Sequence, residues 1–236
     1  KSLNDVLKRL FSLRMPSALY PFVMKLLCET KEGEVQENLA INTLNFIESF
    51  LVRRAILGFE PTGLHALFKG MWNDVKESPT DSAIKTEILK RPTIQYPSDR
   101  EILEAIKTRP IAKSRICNYL LREYDKSLPG DNPSDKITIE HILPQSYAET
   151  GEWAKVFSKD DHKLLKDVFA NLIPLSSPLN SSIQAASYKK KRKRYEKESM
   201  FVTPRDFADK YDIWNKENLE KRSKLLYDWT VKRWCE

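Results

Sequence analysis

KITIEHIL (136–143), ANLIPLSS (170–177) and PLNSSIQAASYKKKRKRYEKES (178–199) are the stretches on which the reading of this chain turns. The first is rich in β-branched residues, which suit a pleated, half-buried surface, and Pro144 ends it. It predicts a strand. ANLIPLSS predicts a second short strand, and Pro174 takes one backbone donor from it, so it belongs at an edge or is irregular. The third stretch predicts a helix opening at about Pro178. Residues 152–169 read as helix, with Trp153 and Phe157 on one face and Leu164, Leu165 and Val168 on another. Thr203-Pro204 reads as an N-cap followed by proline at the first helical position. A last helix is predicted over 215–234, with Leu219, Leu226, Trp229 and Trp234 in or near one stripe.

Outward towards the N-terminus the period is helical throughout. Leu3, Val6, Leu7, Leu10 and Phe11 make one stripe over 2–13, and a second helix follows through about Cys28. Ala40, Leu44, Ile47, Leu51 and Ala55 recur at spacings of three and four over 34–57, and Gly58 supplies the stop. Further helices are predicted over 62–76 and 110–126, and Ser98 and Glu101 stand at capping-box spacing. LPGDNPSD (128–135) concentrates helix and strand breakers. It predicts a boundary between an all-helical module (1–130) and a second domain of mixed α+β type (131–236). The fold class expected is therefore mainly α.

The chain has 236 residues, 41% hydrophobic and 31% charged, which excludes a disordered chain. No run of 18 apolar residues occurs, so no membrane partner is expected. The three cysteines, Cys28, Cys117 and Cys235, are odd in number and far apart, which fits a reducing cytosol better than a disulfide framework. The first residue is Lys1, which predicts a segment of a longer protein. Lys and Arg total 40 against 33 Asp and Glu, a net +7. Most of that excess lies between Lys189 and Lys197, seven basic residues against one Glu.

An acidic residue followed by His (Glu140-His141), an Asn opening the second strand (Asn171) and another in the following helix (Asn180) resemble the HNH nuclease motif, a ββα-metal site. The likeness is more specific than that. IEHILPQ, NLIPLSSPLN, then Tyr188, Lys191 and Tyr195, and a closing WNKENLEKRSKLLYDW resemble the C-terminal domain of the GmrSD-type restriction endonucleases. The resemblance covers about 131–236 well and 1–130 loosely. It implies a ββα-metal core and a DNA endonuclease acting in bacterial defence against phage or modified DNA. It also implies a cytoplasmic setting in a bacterium and an N-terminal nucleotide-hydrolysing domain or subunit as partner.

Hydrolysis of a phosphodiester needs an activated water and a place for charge on the leaving oxygen. A neutral imidazole takes a proton from water near neutral pH, which makes His141 the general base. A hard divalent cation, Mg²⁺ or Mn²⁺, accepts oxygen ligands and keeps several waters. Glu140 supplies a carboxylate oxygen and Asn180 a carbonyl oxygen as its ligands. Asn171 completes the catalytic set by bracing the loop that holds His141, as the family pattern implies. Glu140 stands where many HNH sequences have Asp, Ala170 where Gly is common, and Ile173-Pro174 in place of a Leu-Thr type pair. Lys189, Lys190, Lys191, Arg192, Lys193 and Arg194 follow Asn180 on the same predicted helix and read as contacts to the phosphates of double-stranded DNA. His162 reads as solvated surface and His65 as a helix-packing residue. Rival readings are a non-catalytic DNA-binding module, a regulator of the nucleotide-hydrolysing partner, and a nuclease directed at RNA.

Overall fold

The computed structural model describes residues 2–131 and 136–235. Among them the chain is mainly helical, with a single two-stranded sheet. No helix among them is long and apolar enough to cross a membrane. The chain divides into two compact units, Lys1–Ile102 with Thr230–Glu236, and Leu103–Trp229. The division falls inside a helix. Of the boundary expected at 128–135, residues 132–135 lie outside the described residues.

The first unit holds α1 (Leu3–Leu13), α2 (Tyr20–Glu32), α3 (Glu37–Leu57), α4 (Leu64–Val75), α5 (Asp81–Leu89) and the start of α6 (Asp99–Thr108). A capping box between Ser2 and Asp5 opens α1, and Ser98 and Glu101 cap α6 in the same way. Gly58 ends α3 at φ 73°, a conformation that a side chain disfavours. Leu10, Phe22, Leu26, Leu44, Ile47, Phe50, Phe68 and Met71 are buried together. Each such side chain stabilises the fold by about 1.5–3 kcal/mol over its exposed state. The sequence pattern passes over α5, whose buried stripe is only Ile84 and Ile88.

The second unit holds the rest of α6, then α7 (Arg115–Ser127), β1 (Thr138–His141), α8 (Glu152–Val156), α9 (Lys159–Leu165), β2 (Leu172–Leu175), α10 (Ser177–Ile183), α11 (Tyr188–Glu198), α12 (Val202–Lys210) and most of α13 (Lys216–Arg233). β1 and β2 are antiparallel, with Thr138 opposite Leu175, Ile139 opposite Pro174, Glu140 opposite Ile173 and His141 opposite Leu172. Pro174 is tolerated because the sheet has only two strands.

Four predicted elements come out differently. The helix over 152–169 breaks at Phe157 and Ser158, where the Ser158 hydroxyl caps α9 by accepting from the Asp161 N–H at 3.0 Å. The helix opening at Pro178 breaks at Gln184, whose φ of 45° ends α10. Thr203 lies inside α12 rather than at its cap, and its N–H donates to Asp125 Oδ1 at 2.6 Å. Helix α7 begins at Arg115, because Pro110 instead forms a β-bridge with Val168.

Candidate active site

The strand alternation of β1 places Thr138 and Glu140 on one face and Ile139 and His141 on the other. Glu140 is 4% exposed. Its Oε1 accepts from Lys191 Nζ at 2.7 Å and from the Tyr195 hydroxyl at 2.6 Å. Lys191 and Tyr195 are four residues apart on α11 and so reach inward from one face of that helix. Lys191 Nζ also donates to the backbone oxygen of His141 at 2.7 Å, fixing the end of the strand. Burial pushes the Lys191 ammonium below its ordinary range, against the pull of Glu140. Burial, with the Glu140 charge beside it, pushes the Tyr195 phenol well up, so it stays a donor.

Lys191 is therefore not a phosphate contact. It is 0% exposed and paired with a carboxylate, because one face of α11 must pack on the sheet whatever its charge. Arg192 donates to Ala208 O at 2.7 Å and pairs with Asp212, and Arg194 pairs with Glu198. Lys189, Lys190 and Lys193 are exposed.

Asn180 lies within α10, four residues after the cap position at Ser176. Its Nδ2 donates to Thr138 Oγ1 at 2.9 Å and to Ile139 O at 3.0 Å, which ties α10 to β1. Asn180 is thereby tied to the strand that carries Glu140. Neither Glu140 Oε2 nor Asn180 Oδ1 takes a hydrogen bond from a described residue. Both are oxygens of the kind a Mg²⁺-type cation takes, and no group of three or more His, Cys, Asp or Glu able to hold a metal ion occurs among the described residues.

Asn171 is fully buried and its amide is fully used. Nδ2 donates to Leu143 O at 2.9 Å and to Lys166 O at 2.8 Å, and Oδ1 accepts from Leu143 N at 2.8 Å and Trp214 Nε1 at 3.1 Å. It staples the turn that follows His141. Arg222 donates to Ala170 O and, at 3.1 Å, to Leu172 O, which holds the backbone on either side of Asn171.

His141 is half-buried. Its Nε2 is 3.0 Å from Asp167 Oδ1 and 3.3 Å from Gln145 Nε2. Burial lowers the imidazole pKa, and the Asp167 carboxylate opposes that. The sequence pattern gives Asp167 no role, and Gln145 enters it only as the last residue of IEHILPQ. Asp167 sits in a stretch that reads as helix, and nothing in its spacing marks it. His162 departs from the solvated reading: Nε2 is 2.8 Å from Pro144 O and the ring packs edge-on to Tyr147 at 4.6 Å. His65, expected to pack, is exposed. A cavity of about 410 Å³ opens beside Gln145, lined also by Ser146, Tyr147, Phe157, Lys159 and His162. A larger one of about 620 Å³, lined by Leu103, Leu165, Leu219 and Tyr227 among others, shares no residue with the site.

The family model described as GmrSD restriction endonucleases, C-terminal domain, matches residues 96–229. No curated protein matches the chain.

Proposed function

The chain belongs to the family of GmrSD restriction endonucleases, C-terminal domain, and we propose that it is a divalent-metal-dependent endonuclease that nicks double-stranded DNA. The observation that carries this reading is the end of β1. There a half-buried His141 ends the strand on the face opposite Glu140, and Asn180 is tied to the same strand through Thr138 and Ile139. We read β1, β2 and α10 as the ββα core of an HNH site.

His141 is the general base. Burial favours its uncharged form, so the ring is ready to accept a proton at neutral pH. Asn171 keeps the turn after His141 closed through its two bonds to Leu143. Lys191 and Tyr195 occupy Glu140 Oε1 and leave Oε2 as the oxygen for a ligand role. Glu140 and Asn180 would hold one Mg²⁺ or Mn²⁺. That ion, when bound, supplies charge stabilisation at the scissile phosphate and the departing 3′ oxygen. Lys189, Lys190 and Lys193 lie on the outer face of α11 and contact backbone phosphates. One such site cuts one strand, leaving 5′-phosphate and 3′-hydroxyl ends. The setting is bacterial defence against phage or modified DNA in the cytoplasm, with a nucleotide-hydrolysing domain or subunit as partner.

The test is conversion of supercoiled plasmid to the open circle in Mg²⁺, Mn²⁺ or EDTA, by the unaltered chain and by Asn180→Ala. Nicking is expected with either metal, absent in EDTA and reduced at least tenfold by the substitution. Undiminished nicking in EDTA would overturn the metal-dependent reading, and preference for RNA over plasmid would overturn the substrate.

A further inference from the structure

The ion-dipole contact of His141 with Asp167 gives a role to a residue outside the motif. We propose that Asp167 is a positioning residue that holds His141 in the tautomer with its proton on Nε2, so that Nδ1 takes the proton from water. The inference rests on the nuclease reading of His141.

Asp167 Oδ1 lies 3.0 Å from His141 Nε2. An ionised carboxylate can only accept, so Nε2 must carry the hydrogen. A neutral imidazole has one N–H, which leaves the lone pair on Nδ1. Nδ1 makes no hydrogen bond with a described residue. The Gln145 amide nitrogen, 3.3 Å from Nε2, cannot donate to a nitrogen already bearing its proton.

Asp167 is itself held in place. Its backbone oxygen accepts from Ile111 N at 2.8 Å and Ala112 N at 3.2 Å, and the next residue, Val168, bridges to Pro110. The carboxylate therefore starts from a backbone anchored in the segment before α7. In the reaction, water gives its proton to Nδ1 and its oxygen lone pair forms the new P–O bond. The bond from phosphorus to the 3′ oxygen breaks, its electron pair leaves with that oxygen, and solvent supplies the proton of the 3′-hydroxyl. The ring becomes an imidazolium whose Nε2–H faces Asp167, which stabilises the charge as it forms.

Long-range ¹⁵N–¹H correlation on the full chain labelled at histidine, at about pH 8 where free imidazole is neutral, reads the tautomer directly. Three histidines are present, and His141→Ala identifies the signal of interest. The expected pattern is a protonated Nε2 and a bare Nδ1, turning to a mixture of tautomers in Asp167→Ala. In plasmid nicking, Asp167→Ala is expected to lower kcat at least tenfold with KM within twofold, and Asp167→Glu to restore part of the loss. A wild-type ring protonated on Nδ1 overturns the proposal, whether or not any variant folds. So does an Asp167→Ala protein with unchanged kcat while His141→Ala is inactive. Full nicking by His141→Ala overturns the assignment of His141 as general base instead, and the NMR pattern still decides the tautomer.

Discussion

Lys191 carries the sharpest lesson at the scale of single residues. It sits third in a run of six basic residues, yet it is enclosed with Glu140 and Tyr195. Removing one member of a buried ion pair leaves an uncompensated charge and costs roughly 3–5 kcal/mol. Lys191→Met is expected to lower unfolding stability in urea by that order. Lys190→Ala, on the outer face, is expected to stay within about 0.5 kcal/mol of the unaltered chain. Equal stabilities for the two variants would contradict the assignment of the inner and outer faces of α11. Glu140, His141, Asn171 and Asn180 are picked out in the sequence by their likeness to the HNH motif, and the structure places them in or beside β1, β2 and α10. Asp167 and the burial of Lys191 are not legible. Each depends on which way a side chain turns once distant segments have packed.

At the scale of elements, the same distinction separates what the pattern predicts from what it misses. Periodicity finds α3, because its buried stripe runs the length of a 21-residue helix and ends at Gly58. It finds β1 and β2 from their β-branched and apolar content. It misses the breaks at Ser158 and Gln184, since apolar residues continue at helical spacing on both sides of each. Thr203 misleads for a different reason: its backbone donor is taken by Asp125, a partner 78 residues away.

Helix α3 also carries a buried carboxylate whose titration can be followed. Burial alone would raise the pKa of Glu48, but Arg233, the Trp234 indole and Arg9 outweigh it and hold the group below its ordinary value. Arg9 Nε lies 2.8 Å away and Arg233 Nη2 2.7 Å away. With the folded pKa depressed, the stabilisation is complete above the unfolded value of about 4.3. It is lost as the pH falls through the folded value, because the unfolded chain takes the proton first. Thermal melts from about pH 6 to pH 3 are expected to show a falling Tm that is shallower in Glu48→Gln, which starts from a lower Tm. A variant with the full acid slope would place the titrating group elsewhere.

For the whole chain, the net +7 is small and its position matters more than its size. Lys189, Lys190 and Lys193 are the exposed lysines between Lys189 and Arg194. Each phosphate neutralised by a lysine contributes about 0.9 to the dependence of log affinity on log salt. Replacing all three by Ala is therefore expected to reduce that slope by about 2–3 and to weaken binding evenly across DNA sequences. An unchanged slope would place the DNA on another surface.

In the proposed reaction His141, at the end of β1, takes the proton from the attacking water. The most direct measurement is the rate of nicking of supercoiled plasmid in Mg²⁺ by the unaltered chain and by His141→Ala, each shown by circular dichroism to be folded. A loss of at least a hundredfold is expected in the variant. Nicking at the unaltered rate by folded His141→Ala would contradict it.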